Sequence, residues 1–160
     1  MSETMDSSLV RGSAIGSELS DAECAILAGV ITRRTLKNEE ILIEEDQVDQ
    51  RLYVIVSGAL EVCRHSGGDW VSLHVLKTGD LAGELGFIDG QPHSASLRSI
   101  GPTEVFILER RQFESLLEGH PKVIYAVMRT ILRTAHAILR RMNLQYIELS
   151  NYITKQHGRY

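Results

Sequence analysis

Residues 79–99, GDLAGELGFIDGQPHSASLRS, combine a glycine-flanked carboxylate with a short polar segment. Glu84 lies between Gly83 and Gly86, and glycine allows close approach of the backbone because it has no Cβ atom. Main-chain amides exposed at a short helical turn after Glu84, together with polar groups of the following segment, would form a concavity that suits an anion. The stretch therefore predicts a binding loop between two structural elements.

On both sides of this stretch the chain has the pattern of short β-strands. Runs rich in Val, Ile, Leu, Phe and Tyr alternate with the turn signals DQVDQ, SGGD, KTGD, IDGQP and GP. Many short strands at this spacing predict an antiparallel sandwich or barrel. The predicted strand segments are ILIEE (41–45), RLYVIVSG (51–58), LEVCR (60–64), WVSLHVL (70–76), SASLRSI (94–100) and TEVFILE (103–109).

The composition suits one compact domain with an unevenly distributed charge. The chain has 160 residues, of which 43% are hydrophobic, and its net charge of −4 argues against a general nucleic-acid binder. Residues 1–120 carry 10 Lys and Arg against 20 Asp and Glu, whereas residues 121–160 carry 7 against 1. We expect the basic segment to face its own acidic body or an acidic protein partner, and a plain solvated face is an equal alternative.

The N-terminal region predicts a tail followed by a helix. Ser20 and Glu23 have capping-box spacing, which predicts a helix start at Ser20. Residues 1–17 lack the apolar core of a signal peptide and are rich in Ser and Gly, so we expect a flexible tail and a cytoplasmic protein. Cys24 and Cys63 are isolated and the histidines lack metal-ligand spacing, so we expect buried thiols and no metal site.

The C-terminal region predicts one long helix. RRQFESLLEGHP (110–121) has the pattern of a brief helix that stops at Gly119 and Pro121. No helix-breaking residue follows until Gly158, so residues 121–157 would form a rod of about 55 Å at about 1.5 Å per residue. Residues 158–160 are then a short tail.

Two apolar rows run along this predicted helix, and they favour a homodimer. The first row has the alternating steps of a coiled-coil seam and the second repeats every seven residues, which together suffice for one contact with the body and one with a partner helix. Packing of the whole face inside one chain is the alternative. The first row is Ile124, Met128, Ile131, Ala135, Ile138, Met142, Gln145, Leu149 and Tyr152, and the second is Tyr125, Leu132, Leu139, Tyr146 and Ile153.

These elements resemble the cyclic nucleotide-binding domain of regulators of the catabolite activator and fumarate–nitrate regulator type. The segments that carry the resemblance are YVIVSGALEV (53–62), LKTGDLAGELGF (76–87) and FESLLEGHP (113–121). It covers about residues 18–150. The resemblance implies a mostly β fold with flanking helices: a leading helix, an eight-stranded antiparallel β-roll of the jelly-roll kind over 18–120, and a long dimerisation helix over 121–157.

The resemblance also implies a binding cassette for cAMP or cGMP. Glu84 would accept a hydrogen bond from a ribose hydroxyl, and main-chain amides of the cassette would hold the cyclic phosphate. No metal is implied. The matching positions are Gly83, Glu84, Leu85, Gly86, His93, Ser94 and Ala95.

Position 93 departs from the family pattern, which has an arginine there. An arginine offers two charge-assisted hydrogen bonds to phosphate, whereas His93 offers one donor and a histidine is ordinarily neutral at pH 7. The loss of a charge-assisted bond costs about 1.5–3 kcal/mol, or roughly 10- to 100-fold in affinity. Arg98 lies five residues further and would point to the opposite strand face, so it is a poor replacement. A bound phosphate would favour protonation of His93, which predicts tighter binding at pH 6 than at pH 8.

A second departure concerns the long helix. In the activator subgroup, adjacent Thr or Ser residues reach the purine, and Ile138 and Leu139 occupy those positions here. We therefore expect low base selectivity.

Two functions remain open: a stand-alone, non-enzymatic sensor of a cyclic nucleotide, or a dimeric scaffold that has lost its ligand. No catalytic motif indicates an enzyme. A DNA-reading output domain of the usual kind has no room after the helix, so we expect no direct DNA binding.

Overall fold

The computed structural model describes residues 5–157 and contains one antiparallel sheet with five helices. No helix among these residues is both long and apolar enough to cross a membrane. In chain order the elements are α1 (Ser7–Arg11), α2 (Asp21–Ala28), β1 (Ile31–Leu36), β2 (Ile41–Ile43), β3 (Arg51–Ser66), β4 (Asp69–Lys77), β5 (Leu81–Ala82), α3 (Glu84–Asp89), β6 (Ser96–Glu109), α4 (Arg110–Glu114) and α5 (Pro121–His157).

The sheet is organised around two long strands, β3 and β6. Its order is β1-β6-β3-β4, while β2 pairs with β6 and β5 pairs with β3. The β3–β6 register shifts on both sides of Ser57, beside Gly58. Gly58 has a φ of 83°, and a Cβ atom there would lie 2.6 Å from the carbonyl oxygen of Pro102. Each long strand therefore replaces two strands of the implied eight-stranded roll, and the sheet bends where they join.

The first strand was not predicted. β1 pairs with β6 from Ile31↔Leu108 to Leu36↔Thr103. Its sequence ITRRTL has four exposed polar residues between two buried ends, so it lacks the alternation of a half-buried strand. β1 forms because β6 offers an edge to pair with.

The N-terminal segment is structured where we expected a tail. Asp6 caps α1 by accepting a hydrogen bond from the amide of Ser8 at 2.9 Å. Val10 and Ile15 are buried in the core beside α2 and α5. The expectation of a flexible tail over 1–17 is therefore wrong for residues 5–17, because apolar burial fixes them. Residues 1–4 and the tail at 158–160 lie outside the described residues.

The predicted helix boundaries are confirmed at two places. Ser20 caps α2: its hydroxyl accepts from the amide of Glu23 at 3.2 Å, and the Glu23 carboxylate accepts from the Ser20 amide at 3.0 Å. The long helix runs from Pro121 to His157, as the absence of breakers predicts.

Helix α5 packs on the body along its first part only. Val123, Val127 and Ile131, spaced by four residues, are buried in the core. Ile124 and Met128 pack against the same cluster. Ile131 was predicted to lie on the seam, but its side chain faces its own chain and is not available to a partner. Residues 139–156 are all exposed.

The charge asymmetry has a partial structural basis. Glu18 forms ion pairs with Arg133 and, at 3.9 Å, with Arg129 of α5. Both arginines are about half exposed, so each pair contributes little to the free energy of unfolding, about 1 kcal/mol or less. Among the described residues, Glu18 thus links the acidic body to the basic helix.

Candidate functional site

The glycine-flanked carboxylate lies at the start of helix α3. Strand β5 pairs with Tyr53 and Val54 of β3 and leads directly into Gly83. Gly83 has a φ of 80°, and a Cβ atom there would lie 2.7 Å from the carbonyl oxygen of Arg51. A glycine is needed at this position because the turn is left-handed and packs closely on β3.

Gly86 brings helix α3 against the loop between β2 and β3. A Cβ atom at Gly86 would lie 2.8 Å from the carbonyl oxygen of Asp49 and 3.3 Å from Cε1 of His93. The sequence predicts close approach of the backbone at Gly83 and Gly86. In the structure, the space of the missing Cβ atoms is taken by neighbouring protein atoms. These glycines therefore let α3 pack closely on β3 and on the loop that contains Asp49.

Glu84 is half-buried and lacks a side-chain donor. Burial raises the pKa of its carboxyl group, while its own main-chain amide and the nearby His93 act to lower that pKa. Within the described part of the chain, no other side chain donates a hydrogen bond to this carboxylate or forms an ion pair with it. A partly dehydrated carboxylate without a side-chain donor can accept a further hydrogen bond from a ligand hydroxyl.

His93 is paired with a carboxylate of its own chain. Its Nε2 atom lies 2.9 Å from Oδ1 of Asp49, and the two side chains are only 8% and 10% exposed. The position that carries arginine in the family pattern is thus occupied by a buried imidazole whose orientation is fixed.

Asp49 also connects this imidazole to the sheet. Its Oδ2 atom accepts a hydrogen bond from the hydroxyl of Tyr53 at 2.9 Å. Burial, and then the hydrogen bond to Asp49, raise the pKa of Tyr53 to about 12, so Tyr53 stays a donor at neutral pH. The main chain of His93 is held too: Asp46 N–H donates to its carbonyl at 2.8 Å, and its N–H donates to the Gln47 carbonyl at 3.0 Å.

The remaining predicted site residues offer main-chain groups and one hydroxyl. Leu85 is 68% exposed, so any contribution comes from its amide. The first hydrogen bond of α3 runs from Phe87 N–H to the Gly83 carbonyl, which leaves the preceding amides of the turn without intrahelical acceptors. Ser94 is exposed and has no hydrogen-bond partner among the described residues, and Ala95 is half-buried. Free polar groups therefore flank Glu84 and His93.

Arg98 is engaged on another part of the sheet. Its guanidinium donates to Oε2 of Glu61 at 2.7 Å and lies 5.4 Å from the centre of the Trp70 ring. These contacts agree with the expectation that Arg98 does not replace the missing arginine.

The two positions of α5 that were compared with purine-contacting residues carry no polar side-chain atoms. Ile138 is half-buried and Leu139 is 57% exposed. They can contribute apolar contact and no side-chain hydrogen bond.

No feature of the sequence indicates Asp49 and Tyr53 as part of the site. Asp49 lies in the segment DQVDQ, whose composition indicated only a turn, and Tyr53 lies in a buried strand. The pairing of Asp49 with His93 joins residues 44 positions apart, and no local spacing predicts it.

The cysteines and histidines form no further site among residues 5–157. Cys24 and Cys63 are free and buried, as predicted, and burial raises the pKa of each thiol, which makes both unreactive. No cluster of three His, Cys, Asp or Glu side chains in this part of the chain could hold a metal ion.

Comparison with known sequences identifies the cassette-bearing region. Residues 33–120 match the family model of the cyclic nucleotide-binding domain. The cyclic AMP receptor protein of Thermus thermophilus is 26% identical over 125 residues, covering 78% of this chain and 58% of the relative. The cAMP-dependent protein kinase regulatory subunit of Dictyostelium discoideum is 29% identical over 94 residues, covering 56% and 29%. This chain therefore spans less than two thirds of the length of these relatives.

Comparison with solved structures supports the same fold. A cyclic nucleotide-binding domain from Methylobacillus flagellatus KT has a TM-score of 0.80 at 21% identity, covering 89% of this chain and 83% of that one. The catabolite activator protein of Thermus thermophilus has a TM-score of 0.71 at 26% identity, covering 86% and 63%. The antiparallel roll with flanking helices and a long C-terminal helix is thus the fold of this family.

Proposed function

Because this chain belongs to the cyclic nucleotide-binding domain family, we propose that it is a regulatory module that binds cAMP or cGMP in the cassette formed by α3 and the start of β6. The observation that carries the proposal is the half-buried Glu84 carboxylate, which has no side-chain donor from its own chain. Keeping a carboxylate in this state costs free energy, and a ligand hydroxyl would offset that cost.

Each residue of the proposed site has a chemical role. Glu84 accepts a hydrogen bond from the ribose hydroxyl, and the main-chain amides at Leu85 and Ala95 donate to the cyclic phosphate. The Ser94 hydroxyl and the His93 imidazole supply the side-chain donors. Gly83 and Gly86 allow α3 to sit against β3 and the loop 44–50. No metal and no catalytic step enter this function.

We also propose that the module forms a homodimer through α5. The row that repeats every seven residues remains at least 49% exposed along the whole helix. With Met128, Ala135, Met142 and Leu149 three residues further in each repeat, it forms a heptad seam beside the face that packs on the body. A helix can therefore contact its own body and a second copy at once. The row is Tyr125, Leu132, Leu139, Tyr146 and Ile153.

The seam leaves a continuous row of exposed apolar side chains along α5. Isolated apolar side chains are common on surfaces, but a continuous stripe along a helix marks an interface. In this arrangement a change at the cassette would reach the dimer through the part of α5 that packs on the core, where Val123, Val127 and Ile131 are buried.

Thermal unfolding with a panel of cyclic nucleotides tests the binding function. A ligand at 100 times its dissociation constant adds about 2.7 kcal/mol to the free energy of unfolding, which raises the melting temperature by several degrees. We expect a shift with cAMP or cGMP and none with the linear 5′-monophosphates. The variant Glu84→Ala should lose the shift, and Glu114→Ala, which removes an exposed carboxylate of α4, should keep it.

A second candidate function is a dimeric scaffold without a ligand. It is favoured by one observation: His93 already has a partner in Asp49 and does not need a phosphate to satisfy Nε2. In that case no cyclic nucleotide at millimolar concentration would change the melting temperature, while the dimer would persist in solution.

A further inference from the structure

Asp49 and His93 form a buried pair at the position where the family pattern has an arginine. We propose that Asp49 is a positioning residue that holds Nε2 of His93 and thereby presents Nδ1 as the proton-dependent donor to the ligand phosphate. This inference rests on the proposed function of the cassette and adds the group that controls its affinity.

The geometry fixes which ring nitrogen faces which partner. Nε2 lies 2.9 Å from Oδ1 of Asp49, and that carboxylate is held in turn by the Tyr53 hydroxyl at 2.9 Å and the Arg51 amide at 3.3 Å. The main chain of His93 is bonded on both sides to the loop 44–50. The backbone of His93 is thus held by the same loop as its ring, and the imidazole cannot rotate without breaking its hydrogen bond to Asp49.

The second ring nitrogen is available. Every fully buried side-chain nitrogen and oxygen among the described residues has a hydrogen-bond partner. The only side-chain hydrogen bond of His93 in that part of the chain uses Nε2, so Nδ1 is not fully buried and can reach a ligand. His93 precedes Ser94 in the chain and is close enough to Glu84 to lower the pKa of its carboxyl group, so the ring borders the proposed ligand position.

Two carboxyl groups of the chain lie near the His93 ring. Asp49 contacts the ring from the loop 44–50. The carboxyl group of Glu84, on α3, is close enough for His93 to lower its pKa. From β3, Tyr53 and Arg51 act on the Asp49 carboxylate. A bound phosphate would place a further negative charge on the Nδ1 side.

Protonation converts the imidazole into a donor on both sides. In molecules whose His93 is neutral, Nδ1 takes one proton from solvent as the ligand binds, and the resulting N–H donates to a phosphate oxygen while Nε2–H continues to donate to Asp49. Without Asp49 the ring could turn, and the added proton would lose one of its two acceptors. Affinity should therefore fall as the pH rises, and Asp49 should be responsible for much of that dependence.

Calorimetry with cAMP and cGMP at pH 6 and pH 8 tests the proposal. For the unmodified chain we expect binding that is about tenfold weaker at pH 8, with proton uptake measured in two buffers of different ionisation enthalpy. Asp49→Asn should bind at least about fivefold more weakly at pH 6 and lose most of the pH dependence. Asp46→Asn, which changes an exposed carboxylate on the same loop, should behave as the unmodified chain.

His93→Arg separates failure of this inference from failure of the proposed function. An arginine is always protonated, so this variant should bind with little dependence on pH. Equal affinity of the unmodified chain at both pH values without proton uptake, or an unchanged pH profile in Asp49→Asn, would overturn the role of Asp49 and leave the binding function intact. Absence of binding by both the unmodified chain and His93→Arg would refute the binding function itself.

A second measurement covers the case in which Asp49→Asn does not fold. Nitrogen-15 spectra of the imidazole in the unmodified chain at pH 8 should show the proton on Nε2 without ligand. Addition of cAMP should change the Nδ1 signal towards the protonated form. A neutral ring with its proton on Nδ1 would contradict the proposed orientation.

Discussion

Replacing Leu139 with aspartate should separate the proposed dimer into monomers that remain folded. Leu139 lies midway along the exposed row of α5 and is 57% exposed in the single chain. It follows the last turn that packs on the core, so the substitution removes no contact that holds the body together.

The magnitude follows from the exposed area. Complete burial of a leucine side chain contributes about 1.5–3 kcal/mol, and a little more than half of Leu139 remains to be buried by a partner. A symmetric dimer contains two such side chains, so the loss is about 2–3 kcal/mol, or roughly 30- to 150-fold in the dimer dissociation constant. Two carboxylates facing each other on the seam would add to this loss.

Sedimentation equilibrium measures the effect, and Leu144 provides a matched control. Leu144 is 60% exposed but lies about 140° around the helix from Leu139 at about 100° per residue, away from the seam. We expect Leu139→Asp to be monomeric at concentrations where the unmodified chain and Leu144→Asp are dimeric. Equal dissociation constants for the two variants would refute the assignment of the seam.

Three further substitutions test the packing and charge of the cassette. Gly86→Ala forces a Cβ atom to 2.8 Å from the Asp49 carbonyl, so denaturant unfolding should show a loss of about 1–2 kcal/mol, whereas Gly119→Ala, with open space around it, should stay within about 0.5 kcal/mol. Tyr53→Phe removes a hydrogen bond to a buried carboxylate and should lower the free energy of unfolding by about 1–3 kcal/mol; an unchanged stability would show that the Asp49 carboxylate is satisfied without it. Burial raises the pKa of Glu84 in the folded state above the value of 4.5 that applies to the unfolded chain. The folded chain therefore loses free energy of unfolding as the pH rises above 4.5 and Glu84 loses its proton. Glu84→Gln should therefore be more stable than the unmodified chain at pH 7 and equal to it below pH 4, while binding cyclic nucleotide more weakly; a variant that is less stable at pH 7 would contradict this account of the carboxylate.

Local signals in the sequence were sufficient for the helices. The capping box at Ser20 needs only the four residues that form it, and the length of α5 follows from the spacing of its breakers. The turn signals also separated most of the strands. They divided β3 and β6 each into two segments, because Gly58 and Gly101 have positive φ values that usually end a strand. Here the pairing of β3 with β6 continues through the bend.

Tertiary contacts decided the features that were not predicted. Strand β1 is polar over its middle and forms because β6 supplies a pairing edge. Residues 5–17 have a Ser- and Gly-rich composition, yet the two side chains of Val10 and Ile15 fix them in the core. In both places a few long-range contacts override the local composition.

In the site, too, local sequence predicts some residues and tertiary contacts determine the others. The segment that forms the cassette was recognisable from its glycines and Glu84, and the departure at position 93 was visible in the sequence. The partner of His93 was not, because Asp49 lies 44 positions away and the tertiary fold brings its loop to the cassette. The need for glycine at position 86 could not be predicted for the same reason, because the atom that a Cβ would meet there is the Asp49 carbonyl oxygen.

The most direct test of the central proposal is an amide chemical-shift titration of the full chain with cAMP and with cGMP. We expect saturable shifts, for at least one of the two nucleotides, concentrated at Gly83, Glu84, Leu85 and Gly86 and at Ser94 and Ala95. Shifts confined to the basic surface around Arg133 and Arg140 on α5, or no saturable shift at millimolar nucleotide, would contradict a ligand site in the cassette.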